Sequence, residues 1–250
     1  VAGPECGGER GVDRHAAIAA EHDELALGET VERGDGRSAR GVHADGAYAR
    51  PMGSPNEPMT PDRLYFRQLL SGRDFATDNQ MAVQMVNFVY AIGDRATGEC
   101  VLVDPAYDPA GLLDAVAADG MTVTGVLASH YHADHIGGSI MGFDIAGVAQ
   151  LLELHSCPVH VQRDEVPWVV RASGLTEADL VAHDSGDVVR VGDVEIQLVH
   201  TPGHTPGSQC FLVGGKLVSG DTLFLDGCGR TDLPGSNHAQ MIESLKRLAR

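Results

Sequence analysis

The feature that most restricts this chain is a cluster of three histidines and one aspartate within six residues. The cluster reads HYHADH, follows the apolar segment Val123–Ala128, and contains His130, His132, Asp134 and His135. Imidazole nitrogen and carboxylate oxygen bind zinc, iron and manganese. Because alternate side chains of an extended segment project the same way, His130 and His132 can converge on one ion. Asp134 and His135 follow where the chain turns, and they can point to a neighbouring position.

Two further segments place a possible ligand at the end of an apolar strand. In PGHTPGS, two Pro-Gly turns bracket His204 after the segment Val194–Val199, and in SGDTLF the carboxylate of Asp221 follows another apolar segment. Either residue alone would be interpreted as part of a turn. We interpret His200 as strand or turn structure and not as a ligand. Together with the HYHADH cluster, His204 and Asp221 predict a metal site where separate strands end.

The chain from residue 64 onward changes from alternating strands and helices to hairpins. Gly192-Asp193 and Gly214-Gly215 each separate two apolar segments, which is a hairpin signature. This mixture predicts a layered α/β architecture with two sheets. The predicted strands are Met85–Ile92, Cys100–Val103, Val123–Ala128, Val159–Gln162, Val188–Val191, Val194–Val199, Gln209–Val213 and Lys216–Ser219. The predicted helices are Pro109–Ala118, Glu165–Ala172 and His238–Arg250.

Residues 1–58 differ in composition from the rest of the chain. They contain no Phe and no Trp and few branched aliphatic residues. Such a segment cannot bury enough apolar surface to offset the entropy of ordering it. We therefore predict a disordered tail over residues 1–58 and one folded domain over residues 59–250. An alternative hypothesis is that translation starts naturally at Met52 or Met59.

The charge of the chain excludes some partners. It has 35 acidic and 18 basic residues, for a net charge of −17. Nucleic acids and anionic lipids are polyanions, so we expect neither to be a partner. The sequence has no apolar run of the roughly 18 residues that a transmembrane helix needs, and no secretory signal. We expect a cytoplasmic protein that acts on a small molecule, and the sequence does not indicate its oligomeric state.

Taken together, HYHADH, PGHTPGS and SGDTLF resemble the metallo-β-lactamase superfamily from about Tyr65 to Arg250. The continuation GCGRTD, which contains Arg230, is similar to the glyoxalase II and persulfide dioxygenase branch. The resemblance implies a four-layer αββα sandwich. It also places Asp104, after the CVLV segment, as a supporting residue near the metal loop.

The resemblance implies two metal positions. The first would be held by His130, His132 and His204, and the second by Asp134 and His135, with Asp221 bridging both. The expected cofactor is zinc, as one or two ions, with iron or manganese as alternatives. Catalytic roles fall to Asp134 and Asp221, which hold the metals that activate water.

The family supplies one more histidine to the second position, on a strand well beyond the match to Asp221. The present sequence ends at Arg250, so we expect the fold without its last strand and helix and a weakened second site. His238 is the only histidine after Asp221, and its place near the start of a helix makes it a poor substitute. The sequence is either a fragment or a product that ends here.

The leading functional hypothesis is glyoxalase II-like hydrolysis of a thioester to a carboxylic acid and a thiol. Arg230 is the candidate for binding a substrate carboxylate, and a structural ion pair with Asp232 or Asp226 is the alternative. The helical domain with which glyoxalase II grips glutathione is absent from this sequence, so the thiol carrier stays open. A second hypothesis is an iron-dependent persulfide dioxygenase, whose single iron the residues His130, His204 and Asp221 would hold. A third is a catalytically degenerate member of the family.

Overall fold

The computed structural model describes residues 62–140 and 142–250. The predictions for residues 1–58 therefore lie outside the described residues. The elements, in chain order, are β1 Leu64–Leu70, α1 Gln80–Met85, β2 Phe88–Asp94, β3 Glu99–Val103, α2 Pro109–Ala118, β4 Thr122–Leu127, α3 Ala133–Ile136, β5 Gly138–Ile140, β6 Phe143–Ile145, α4 Val148–Leu154, β7 Val159–Gln162, α5 Val166–Ser173, β8 Leu180–His183, β9 Val188–Val191, β10 Val194–His200, β11 Gln209–Val213, β12 Lys216–Val218 and α6 His238–Leu248. Short 3-10 turns cover Arg163–Glu165, Glu177–Asp179 and Gly220–Thr222.

These strands form two main sheets, as the sequence predicts. The first sheet has the order β1-β2-β3-β4-β7-β8, with β3, β4, β7 and β8 parallel to one another. The second sheet has the order β12-β11-β10-β9 and is antiparallel throughout. A small ribbon of β5 and β6 stands apart. Parallel pairing needs crossover connections, and these contain α2 between β3 and β4, α3 and α4 between β4 and β7, and α5 between β7 and β8.

The first sheet is a middle layer, buried on both faces. Along β3, Cys100 and Leu102 pack into one core, while Val101 and Val103 pack into the other. This double burial explains why the CVLV segment is apolar at every position. One core lies between this sheet and helices α1, α2, α4 and α5, and the other lies between the two sheets.

The second sheet closes the inter-sheet core with Ile196, Leu198 and Phe211, all of which are almost fully buried. Helix α6 packs at the end of this sheet, where the Ser244 hydroxyl donates to the carbonyl of Pro202 at 2.8 Å. The order of layers is therefore helices, sheet, sheet and helix, which confirms the mixed α/β sandwich. Every helix in residues 62–140 and 142–250 is too short or too polar to span a membrane.

One predicted strand starts three residues too early, which is the largest boundary error among the predicted elements. The segment Met85–Ile92 was expected to be a single strand, but helix α1 runs to Met85 and β2 starts only at Phe88. The Asn79 side chain caps this helix by accepting hydrogen bonds from the backbone N–H groups of Met81 and Ala82. Val86 then takes a left-handed conformation that ends the helix. The Asn79 cap that starts the helix and the left-handed Val86 that ends it, and not the β-branched composition, decide the structure here.

Candidate metal centre

Three histidines from two separate loops converge at one edge of the sandwich. His130 and His132 follow β4, and His204 follows β10. One nitrogen of each imidazole lies within 4.8 Å of the others. His204 Nε2 and His132 Nδ1 are 2.9 Å apart. This is the spacing expected of nitrogens that share one ion.

A second group of ligands lies beside the first. His135 Nε2 is 3.2 Å from Asp221 Oδ1 and 3.6 Å from Asp134 Oδ2. The other oxygen of Asp221 is 3.4 Å from His204 Nε2. Asp221 therefore lies between the two groups. The structure brings all six predicted ligands together, although Asp221 follows the cluster by more than eighty positions.

Hydrogen bonds to the far side of each ring fix which nitrogen faces the centre. The Asp104 carboxylate accepts from the Ser129 backbone N–H at 2.7 Å, from the Ser129 hydroxyl at 2.6 Å and from His135 Nδ1 at 2.9 Å. Since the Ser129 hydroxyl donates to Asp104, it accepts from His130 Nδ1 at 3.0 Å. The His130 ring then carries its proton on Nδ1, which leaves its Nε2 with a lone pair for a metal, and the hydrogen bond from His135 Nδ1 to Asp104 turns His135 Nε2 toward the centre.

His204 is oriented in the same way from another loop. Its Nδ1 donates to the backbone carbonyl of Arg230 at 2.8 Å.

Asp134 is held by Asn87, whose side-chain amide donates to the Asp134 backbone carbonyl and to Asp134 Oδ2, both at 2.9 Å. Sequence reasoning missed Asn87. The available signal was a single amide side chain inside the apolar stretch MVNFVY.

Two buried ring nitrogens without hydrogen-bond partners indicate whether this site fits a metal. His130 Nε2 and His135 Nε2 are buried, and neither has a hydrogen-bond partner among the described residues. An unsatisfied polar atom in the interior is costly, and native proteins avoid it. A divalent ion bound by these lone pairs removes that cost. The donor set, imidazoles and carboxylates, suits zinc, iron or manganese.

Two of the imidazoles are kept neutral, as metal ligands must be. Burial lowers the pKa of His130 well below its usual range, and the charges of His135 and His132 lower it further. Burial also lowers the pKa of His132 to about 4, with His204 as the next cause. At neutral pH these rings therefore offer lone pairs without losing a proton first.

His135 and Asp221 lie close together at this centre, with His135 Nε2 3.2 Å from Asp221 Oδ1. Burial opposes a charge on His135, but Asp221, Asp134 and Asp104 outweigh it and raise its pKa well above the ordinary value. Burial likewise opposes a charge on Asp221, but His135 and the neighbouring imidazoles hold its pKa well below the ordinary value. A metal ion at the second position must therefore displace the proton of His135.

A buried glutamate that the sequence analysis placed only at the start of a helix joins the two histidine loops. Glu165 Oε1 accepts from the backbone N–H of Tyr131 at 2.8 Å, and its Oε2 accepts from the N–H of Gly207 at 2.6 Å. Tyr131 lies between two ligands, and Gly207 follows His204. Burial raises the pKa of Glu165 to about 7, although these hydrogen bonds lower it.

The backbone carbonyl of Arg230 lies at the centre, where it accepts from His204 Nδ1, and the side chain of Arg230 pairs with Asp232. The guanidinium forms two hydrogen bonds with the Asp232 carboxylate, at 2.9 and 2.8 Å. Both side chains are mostly exposed. This is the ion pair that the sequence analysis gives as the alternative to substrate binding, and a substrate role for Arg230 stays a prediction.

Known proteins match this chain over its described part. The family model described as "Metallo-beta-lactamase superfamily" matches residues 84–250. A hydroxyacylglutathione hydrolase of Rhodopseudomonas palustris (strain ATCC BAA-98 / CGA009) is 37% identical over 164 residues, which are 65% of this chain and 57% of that protein. The chain thus spans little more than half the length of this hydrolase.

Solved structures agree with the sequence matches. ETHE1 from Myxococcus xanthus superposes with a TM-score of 0.55 at 32% identity, over 74% of this chain and 69% of that one. TTHA1623, solved in a di-iron-bound form, gives a TM-score of 0.52 at 29% identity, over 64% of this chain and 80% of that one.

The matched region contains all six predicted ligands as well as the GCGRTD segment. The family model, the hydrolase and the ETHE1 structure all point to the same group of proteins. The chain belongs to the metallo-beta-lactamase superfamily, in the branch that contains glyoxalase II and the persulfide dioxygenases.

Proposed function

We propose that this protein is a metal-dependent thioesterase of the glyoxalase II type, with zinc as its metal. The observation that carries the proposal is the pair of adjacent ligand sets joined by Asp221, whose two oxygens lie 3.2 Å from His135 Nε2 and 3.4 Å from His204 Nε2. A carboxylate between two sets of imidazole nitrogens suits two neighbouring ions. The similarity to a hydroxyacylglutathione hydrolase supports the thioester as substrate.

Bound at these two positions, the ions would supply Lewis-acid chemistry, lowering the pKa of water and polarising a carbonyl oxygen. In the reaction, water adds to the thioester carbonyl carbon, the carbon–sulfur bond breaks, and the products are a carboxylic acid and a thiol. A thiolate leaves readily, so no strong general acid is needed.

The protein's own residues contribute position and charge. His130 and His132 contribute neutral imidazoles beside His204, and Asp221, whose pKa is held well below its ordinary value, contributes negative charge on one side of them. Asp104 and Glu165 hold the ligand loops in place through hydrogen bonds. These hydrogen bonds hold the ligand loops in one geometry, which favours the positioning of reacting groups.

A persulfide dioxygenase is the second candidate. It is favoured by the similarity to ETHE1 from Myxococcus xanthus, which at 32% identity covers most of the described residues. His130, His204 and Asp221 would hold its single iron. The His130 and His204 rings are 4.9 Å apart, so this smaller set is also in place.

Elemental analysis followed by two assays separates the candidates. The purified protein is stripped with a chelator, reloaded with zinc or with ferrous iron, and given an acyl thioester or a thiol persulfide. Thioester cleavage by the zinc form, with no oxygen consumption by the iron form, is the expected result. Oxygen consumption with persulfide by the iron form alone would overturn the proposal in favour of the dioxygenase. Turnover of neither substrate by either form would indicate a catalytically degenerate protein. The matched control is His204→Ala, which should abolish either activity.

A further inference from the structure

The segment just before helix α6 contacts the loop of His204 at both of its ends. We call residues 230–237 the strap. At its start, the backbone carbonyl of Arg230 accepts from His204 Nδ1 at 2.8 Å. At its end, the N–H of Asn237 donates to the carbonyl of Gly203 at 2.7 Å. The His204 ring is therefore oriented by a segment that is itself bound to the residue before His204.

The middle of the strap is a tight turn. The Ser236 N–H donates to the Leu233 carbonyl at 3.0 Å, and Gly235 has a φ of 81°. Pro234 and Gly235 occupy the two central positions of this turn, which is the sequence pattern of a type II turn. The turn's own hydrogen bond uses the Leu233 carbonyl, so the Pro234 carbonyl is left to accept from another group.

Tyr131 and Trp168 hold this turn in place. The Tyr131 hydroxyl donates to the Pro234 carbonyl at 3.1 Å. The Tyr131 ring also stacks on that of Trp168, at a centroid distance of 5.1 Å. Trp168 lies against the same turn, since a Cβ built on Gly235 would be 2.9 Å from its ring. The strap is therefore attached to these two rings by a hydrogen bond and by close packing.

Tyr131 is itself fixed within the metal loop. It lies between the ligands His130 and His132, and its ring contacts the His132 ring edge-on at a centroid distance of 4.6 Å. Its backbone N–H donates to Glu165 Oε1 at 2.8 Å. A hydrogen bond from its hydroxyl to the strap therefore ties the position of the Arg230 carbonyl to the loop that supplies two of the three imidazoles.

We propose that Tyr131 is a positioning residue, whose hydroxyl holds the strap so that the Arg230 carbonyl orients His204 for metal binding. A proton held on Nδ1 leaves Nε2 as the ligand atom, whereas a ring without this partner can rotate and exchange tautomers. His204 is a ligand in both candidate reactions, so this role does not depend on which of them the protein catalyses.

Two substitutions disturb the contact from its two sides. Tyr131→Phe removes the hydroxyl and keeps the ring stacking, and Gly235→Ala pushes the turn away from Trp168. Zinc affinity is measured with a competing chelator. Because residues that orient a ligand directly contribute roughly tenfold or more to metal affinity and Tyr131 acts through one further contact, we expect each variant to lose about threefold to tenfold.

Each substitution has a matched control. Tyr65→Phe also removes a hydroxyl that donates to the protein, at 2.6 Å to Asp119 Oδ2, but Asp119 is not a metal ligand. Gly174→Ala also places a side chain at positive φ, 77° against 81° for Gly235, but its Cβ meets nothing within 4 Å. Both controls should bind zinc as the unmodified protein does.

Nuclear magnetic resonance of the zinc-loaded protein with isotope-labelled histidine separates positioning from general stability. The Nδ1 proton of His204 is hydrogen-bonded and should give a resolved signal. It can be assigned through its contact with Gly229, since a Cβ built there would lie 2.9 Å from His204 Nδ1. We expect both variants to broaden or lose this signal through faster exchange with water. The Nδ1 signal of His130 should not change.

Loss of zinc affinity together with loss of the His204 signal in both variants would support the positioning role. Unchanged zinc affinity in Tyr131→Phe, or an unchanged His204 signal, would overturn it. A lower melting temperature of metal-free Tyr131→Phe with unchanged zinc affinity would also overturn it, because the contact would then serve only the fold. A loss in Tyr131→Phe that Gly235→Ala does not share would exclude the strap as the cause.

Discussion

The Glu165 carboxylate and the Gly207 backbone N–H form a 2.6 Å hydrogen bond between segments 42 residues apart. The two residues are packed closely, since a Cβ built on Gly207 would lie 2.4 Å from the Glu165 backbone nitrogen. Through its other oxygen, Glu165 binds the N–H of Tyr131. One buried carboxylate therefore fixes the distance between the loop of His130 and His132 and the loop of His204.

Replacing this carboxylate should weaken metal binding more than it weakens the fold. In Glu165→Gln, one end of the side chain is an NH₂ group, which cannot accept from either backbone N–H. We expect zinc affinity, measured with a competing chelator, to fall about tenfold or more, with a stability loss of roughly 1–3 kcal/mol. Glu153→Gln, on the exposed face of α4, is the control. Unchanged zinc affinity in Glu165→Gln would refute the positioning role.

The raised pKa of Glu165 also predicts a pH dependence of stability. Its folded pKa of about 7 lies above the usual glutamate pKa of 4.5, so the folded state holds a proton that the unfolded state releases. The stabilising contribution is complete below about pH 4.5 and is lost as the pH rises through 7. Between pH 4.5 and 8 the loss should be about 3 kcal/mol.

Urea unfolding of the metal-free protein across this pH range measures that loss. Other groups titrate in the same range, so the informative quantity is the difference between the unmodified protein and Glu165→Gln, which lacks the titration. The unfolding free energy of the unmodified protein should fall relative to that of the variant as the pH rises. Parallel pH profiles for the two proteins would show that Glu165 is ionised throughout.

Gly227 and Gly229, the two glycines of GCGRTD, should differ sharply in how well they tolerate substitution by alanine. A Cβ on Gly229 would lie 2.0 Å from the carbonyl oxygen of Asp221 and 2.9 Å from His204 Nδ1, whereas a Cβ on Gly227 meets nothing within 4 Å. Gly229→Ala must therefore displace one of two metal ligands. We expect it to cost about 1–3 kcal/mol of stability and at least tenfold in zinc affinity.

Gly227→Ala is the matched control, because it adds the same methyl group two residues away. It should bind zinc as the unmodified protein does. If both variants bound zinc equally well, the close approach at Gly229 would have no functional importance. A thermal melt of both proteins in chelator separates a general loss of folding from a loss confined to the centre.

The metal ligands could be predicted from the sequence because each of them lies in a short, recognisable segment. His130 to His135 form one short cluster, and His204 and Asp221 each follow an apolar strand, so their convergence at one edge could be predicted. The contacts that hold these ligands in place could not be predicted from the sequence. Glu165 acts through hydrogen bonds to residues 34 and 42 positions away, and its neighbours in the sequence are those of an ordinary helix start.

The same distinction applies to the fold. Helix α2 has the boundaries predicted from its apolar spacing, and β7 has those predicted from its composition. The Met85–Ile92 prediction failed because β-branched and aromatic residues continue across a helix end that is set by the left-handed conformation of Val86. The stacking of Tyr131 on Trp168 could not be predicted either, because it joins the metal loop to helix α5 through ring packing alone.

The two metal positions should differ in affinity, and Asn87 should control only the weaker one. Among the described residues, the first position has three imidazoles and the shared Asp221, while the second has Asp134, His135 and that same carboxylate. A zinc titration against a chelator should therefore resolve one tight ion and one weaker ion. Two tight ions of equal affinity would contradict this assignment.

Asn87→Ala removes both hydrogen bonds to Asp134, at its carbonyl and at its Oδ2. The weaker ion should then lose about tenfold or more in affinity, and the tight ion should not change, because Asn87 contacts none of its imidazoles. Gln84→Ala, an exposed change on α1, is the control. Loss of the tight ion in Asn87→Ala would mean that the two positions depend on the same supporting contacts and cannot be filled independently.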